Sequence, residues 1–128
     1  MFTAPLGLQD VRNKELIIIK DVKIESGAKI KINFNLENNS PGQEKLSGYL
    51  SVIQYQGNMI QFYPTYELSQ RNLRLEYTQG ESFGFSRFRP TSAEFKKVSK
   101  LSTRYKIFIF SRTGDLMAFK QLGPYNIE

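Results

Sequence analysis

Twelve carboxylates are the groups in this chain best suited to acid–base chemistry. They are Asp10, Glu15, Asp21, Glu25, Glu37, Glu44, Glu67, Glu76, Glu81, Glu94, Asp115 and Glu128. A carboxylate-based hydrolase needs two of them converging across a cleft. These are scattered, mostly in turns or at the polar positions of alternating segments, so they read as solubilising and turn-forming residues. Histidine and cysteine are absent. That removes a Cys/His zinc site, a thiol nucleophile and an imidazole acid–base from the available chemistry. No G-x-x-x-x-G-K-[ST] phosphate loop and no G-x-G-x-x-G fingerprint occurs. Gly80-Glu81-Ser82-Phe83-Gly84 spaces two glycines four apart, but it falls between strands and reads as a hairpin. The chain is therefore expected to bind rather than to catalyse, with no catalytic residue, no metal and no cofactor.

The groups suited to binding are basic and aromatic. In Arg87-Phe88-Arg89-Pro90 two guanidiniums flank a ring, and Lys96, Lys97, Lys100 and Arg104 follow. Such interleaving serves single-stranded nucleic acid, with cations on phosphates and rings on bases. Guanidiniums equally clamp a carboxylate or phosphate on a glycan, lipid or protein. In a continuous strand Arg87 and Arg89 point one way and Phe88 the other, so Phe88 is expected in the core. Tyr49, Tyr55, Tyr63 and Tyr66 crowd one region, as a half-wet binding rim would; ordinary core packing accounts for them equally. The candidate partner-binding residues are Arg87, Arg89, Tyr49, Tyr55, Tyr63, Lys96, Lys97 and Arg104.

The elements that must position these residues are strands. Ile30, Ile32, Phe34 and Leu36 alternate with Lys29, Lys31, Asn33 and Asn35, the period of a strand with one dry face. Leu16–Ile19 with Val22 and Ile24 reads as an earlier strand. Asn38-Asn39-Ser40-Pro41-Gly42 is a turn cluster. Leu46–Tyr55 and Met59–Tyr63 flank a hairpin at Gln56-Gly57-Asn58, and Pro64 closes the second strand. Residues 65–72 are polar, with room for a short helical turn. Leu73 and Leu75 begin a strand turned at Thr78–Glu81, after which Phe83, Phe85 and Arg87 share a face. Residues 91–98 are a strand or a connection. Arg104–Phe110 is a strand, apolar on both sides: Phe108 and Phe110 on one, Ile107 and Ile109 on the other. A strand of that kind is central and covered, or it lends a face to a partner. Ser111–Asp115 turns into a last strand at Leu116–Lys120.

Eight or nine strands with turns every 8–12 residues argue for an all-β antiparallel fold. An immunoglobulin-like β-sandwich is preferred, with a small closed barrel as the alternative. Residues 1–14 read as a flexible lead-in or linker, and 15–128 as a single domain. No apolar run is long enough for a membrane span, and residues 1–15 lack the apolar stretch of a signal peptide. The net charge is +6. Residues 1–70 hold 7 basic and 7 acidic groups; residues 71–128 hold 11 and 5. The excess is thus one-sided, as a basic face requires.

Gly48-Tyr49-Leu50-Ser51-Val52, Tyr63-Pro64, Gly80 with Phe83, Phe85-Ser86-Arg87-Phe88-Arg89-Pro90 and Gly114-Asp115-Leu116 resemble an uncharacterised β-sandwich module of Gram-negative envelope proteins. There the module follows a transmembrane helix and a coiled coil. The resemblance covers about the last two-thirds of the chain. It implies a periplasmic, membrane-tethered, non-enzymatic part, and it brings no catalytic residues. The expected function is protein binding or scaffolding in the periplasm or cell envelope, with a cytoplasmic location the other possibility. A basic module for an anionic polymer, nucleic acid or envelope glycan, is the rival.

Overall fold

The computed structural model describes residues 3–5, 16–42, 44–57, 59–64, 74–96 and 102–126. Ten strands lie within them: β1 (Thr3–Pro5), β2 (Ile17–Ser26), β3 (Lys29–Asn38), β4 (Leu46–Gln56), β5 (Met59–Tyr63), β6 (Arg74–Glu76), β7 (Glu81–Phe85), β8 (Phe88–Lys96), β9 (Ser102–Ser111) and β10 (Leu116–Asn126). One 3-10 turn covers Tyr77–Gln79.

Eight of these strands form two antiparallel sheets. One has the order β2-β3-β8. The other has the order β10-β9-β4-β5, with β7 also paired to β4. The chain crosses from β3 to β4 and returns at β8 to lie beside β3. This is an antiparallel β-sandwich, and no sheet among the described residues closes into a barrel. β1 and β6 form a separate two-stranded ribbon, so part of the stretch read as a lead-in is paired. The remainder of that stretch and the expected turn at residues 65–72 lie outside the described residues.

The core follows from alternation. Ile30, Ile32, Phe34 and Leu36 of β3 face Leu50 and Val52 of β4 and Tyr105, Ile107 and Ile109 of β9, with Phe83, Phe85, Ala93 and Phe95 filling in. Each such side chain contributes about 2 kcal/mol by leaving water. A second cluster lies on the far side of the five-stranded sheet: Ile53, Tyr77, Phe108, Phe110 and Leu116. Strand β9 is thus central, and its Ile107–Phe110 stretch is dry on both sides, the first of the two alternatives its sequence left open.

Two sequence expectations are corrected. Strand β6 does not turn back onto β7. It pairs with β1, while Glu81–Phe85 pairs with Leu50–Leu46 of β4. The Tyr77–Gln79 turn redirects the chain, so the Gly80–Gly84 stretch is no hairpin. Phe88 is 53% exposed, not core. Strand β7 ends at Phe85, and Ser86 and Arg87 form a bend. The alternation restarts in β8, where Thr91, Ala93 and Phe95 are buried. That register turns Arg89 toward the sandwich and Phe88 outward, where the Lys20 ammonium sits 4.9 Å from its ring centre.

Candidate functional site

Strands β5 and β7 share one edge of β4. Val52–Gln56 pairs with β5 and Leu46–Leu50 with β7. Strand β8, the edge of the other sheet, passes over their junction. There Tyr63, Glu81 and Arg89 meet. The Tyr63 hydroxyl donates to Glu81 Oε1 at 2.6 Å, and Arg89 Nη2 donates to Glu81 Oε2 at 3.0 Å. Arg89 Nη1 also donates to Thr91 Oγ1 at 2.8 Å. Further along β8, Gln61 Nε2 donates to the Lys96 carbonyl at 2.8 Å and Lys96 N donates to Gln61 Oε1 at 2.9 Å. The Gln61 amide thus mimics a strand bridge and closes the sandwich on this side. Two candidate residues, Tyr63 and Arg89, are therefore parts of an inter-sheet clasp.

The clasp has a pH signature. Burial pushes the Tyr63 phenol up to about 12, and its hydrogen bond to Glu81 and the charge of that carboxylate add to the shift. The unfolded chain releases that proton near 10.0. Between the two values the folded state binds more protons, so this contribution to stability is present below pH 10.0 and lost as pH rises through about 12. Urea unfolding across that window is expected to show a shallower loss of stability in Tyr63→Phe and in Glu81→Gln than in the natural chain. A loss of equal steepness in all three would refute the assignment.

The remaining candidates separate. Arg87 is exposed in the bend, held by the Asn38 amide, which donates to the Arg87 carbonyl at 2.9 Å. Lys96 is exposed at the end of β8, with its backbone in the clasp. Lys97 and Tyr66 lie outside the described residues. Tyr49 packs edge-on against Tyr77 with centroids 5.7 Å apart, and the Arg112 guanidinium lies 5.8 Å over its ring. Among the described tyrosines, Tyr63 packs against the inner cluster and Tyr49 and Tyr55 against the outer one, so these three share no rim.

Tyr55 and Arg104 do come together. On the outer face of the five-stranded sheet, Tyr55 of β4 stands opposite Ile60 of β5 on one side and Arg104 of β9 on the other. Tyr55, Gly57, Ser102, Arg104, Lys106 and Gln121 line a shallow groove of about 430 Å³ there. Lys106 Nζ lies 5.2 Å over the Tyr55 ring, a cation–π contact. Burial pulls the Lys106 ammonium below its ordinary range and pushes the Tyr55 phenol up. The Tyr55 hydroxyl is buried and has no hydrogen-bond partner among the described residues. Across from Tyr55 on β5, Ile60 is 40% exposed; Met59, 50% exposed, pairs with Gln56 and so projects to the other face. Sequence reading missed Ile60, because its strand reads locally as core, and Lys106, because only the pairing of β9 with β4 brings it to Tyr55.

A second cluster of cations lies at the opposite end of β4. Lys45, Ser47, Ser82, Phe83, Gly84, Arg89 and Arg112 line a groove there. No serine is expected in a G-x-S-x-G nucleophile elbow, yet residues 80–84 spell that pattern. Ser82 lies exposed in an extended strand rather than at a strand-to-helix turn, and the chain holds no histidine to activate it. Among the described residues no three metal-ligating side chains gather.

The fold and these surfaces define the chain as an antiparallel β-sandwich with a polar groove at each end of β4, one on the outer face of the larger sheet and one at the β7 edge, where Arg89 of β8 joins the lining. No family model matches the chain, and no curated protein is similar to it. No helix among the described residues is long and apolar enough to cross a membrane.

Proposed function

We propose that the chain is a non-catalytic protein-binding or scaffolding domain that docks its partner at the β4–β5 hairpin end. One observation carries the reading: the cross-strand row Ile60–Tyr55–Arg104, with Lys106 over the Tyr55 ring, sets an exposed apolar side chain beside a tyrosine and two cations. Tyrosine, arginine and exposed aliphatic groups are the composition of interface centres. The complementary surface is an apolar knob next to an acidic group. The likeness of residues 48–52 and 85–90 to the envelope module supports a periplasmic, membrane-tethered setting.

A pull-down from envelope and soluble fractions at low and high salt tests this. A protein retained at high salt by the natural chain, and lost with Ile60→Glu plus Arg104→Glu, is the expected result. Both residues are exposed, so the double variant spares the Glu81–Arg89 clasp. Recovery only of nucleic acid or anionic glycan, released by salt, would replace this reading with that of a basic module.

A further inference from the structure

We propose that the groove between β4, β7 and the β9–β10 turn is a binding site for a single phosphate-type dianion, such as a phosphomonoester. It is independent of the hairpin-end surface and sits at the other end of β4, at the β7 edge. The β4–β9 register places Gly48 opposite Ser111, which brings Arg112 over Ser47. The β4–β7 register places Ser47 opposite Gly84 and Tyr49 opposite Ser82. The result is a shallow groove of about 640 Å³ whose lining holds Lys45, Arg89 and Arg112 and no carboxylate.

The charge count selects the ligand. Arg89 is already balanced by Glu81 at 3.0 Å. Lys45 and Arg112 have no carboxylate partner among the described residues, which leaves two uncompensated cations. A phosphomonoester carries close to two negative charges at neutral pH. The donors suit its oxygens. Arg112 Nε donates to Ser47 Oγ at 3.2 Å, which holds the guanidinium in place. A hydroxyl that accepts there keeps its own O–H to donate into the groove. Ser82 adds a second hydroxyl to the lining. Gly84 keeps the floor open: a Cβ there would lie 3.2 Å from Lys45 Cε and 3.9 Å from Ser47 Cβ.

The same geometry disfavours a nucleic-acid track. Base stacking needs an open ring. Phe83 in the lining is buried, and Tyr49 next to Ser82 is engaged by Tyr77 and Arg112. The cations also form one compact cluster rather than a stripe along a backbone path.

Titration of the whole chain with inorganic phosphate at low ionic strength, followed by amide resonances, tests the site. Saturable shifts at Ser47, Ser82, Gly84 and Arg112 are expected, with acetate much weaker. Lys45→Ala and Arg112→Ala should each weaken phosphate binding about tenfold. Both leave the Glu81–Arg89 clasp and the hairpin-end groove untouched, so capture of a partner protein there should persist. Vesicles containing phosphatidic acid distinguish the source. Sedimentation with them that requires Lys45 and Arg112 assigns a lipid headgroup; phosphate binding without sedimentation assigns a soluble phosphoester. Shifts spread over all basic residues without saturation, or unchanged by the two variants, would overturn the proposal. So would a single-stranded oligonucleotide that displaces phosphate with a salt dependence of many phosphates.

Discussion

Gly48→Ala is expected to destabilise the domain by about 3 kcal/mol, enough to lower the melting midpoint by roughly 10 °C. Gly48 lies inside β4, opposite Phe83 of β7 and Ser111 of β9. A Cβ at this position would collide with the Phe110 carbonyl oxygen and stand 2.9 Å from its carbon. The obstacle is backbone of the central pair, not the end of a flexible side chain. Relief requires prising β9 from β4, and β9 carries both Ile107–Ile109 and Phe108–Phe110 into the two clusters. Gly27→Ala is the control, because nothing lies within 4 Å of its added carbon. Thermal unfolding of the two variants decides the matter. Equal midpoints would mean that β4 and β9 do not approach this closely. The consequence reaches the phosphate groove, because the Gly48–Ser111 register is what delivers Arg112 to Ser47.

The strands were legible because alternation is a local property. Ile30 to Leu36 announces a half-buried strand from its own residues, and the structure buries those side chains. The two-sided hydrophobicity of Ile107–Phe110 likewise announces a central strand. Parity across a bend was not legible. Ser86 and Arg87 interrupt the run, and only the register of β8 on β3, Ile32 opposite Ala93 and Ile30 opposite Phe95, decides that Arg89 turns inward. The same limit hid the grooves. Lys45 belongs to the charge-balanced half of the chain, and Arg112 to a turn 67 residues later. Nothing local joins them; the long-range pairing of β4 with β9 does. Tyr55 and Arg104 were both named from the sequence, yet their adjacency, 49 residues apart, depends on that same pairing. Arg89 shows the converse. Its type marked it for binding, but Glu81 gives it work within the fold.

Phe108→Ala is expected to cost about 4 kcal/mol, the range for an aromatic lost from a core, although Phe108 sits on the outer side of its sheet. Its side chain is 0% exposed. It stacks on Phe110 with centroids 6.1 Å apart and meets Phe119 edge-on at 5.0 Å. Such ring pairs add to the burial energy itself. The test sets Phe108→Ala beside Ile107→Ala in urea unfolding, since Ile107 fills the inner core from the same strand. Comparable losses of several kcal/mol, with the slope of the transition unchanged, are expected. A loss below about 1 kcal/mol for Phe108→Ala would mean that this face is an open surface awaiting a partner. The distinction bears on function. If the middle of the outer face is a second core, it cannot also be a docking surface, and recognition is left to the two ends of β4. One end offers Tyr55, Ile60 and Arg104, and the other offers Lys45, Ser47 and Arg112. A rigid aromatic layer between them holds the two grooves at a fixed separation, so ligands at the two ends can be held together without touching each other.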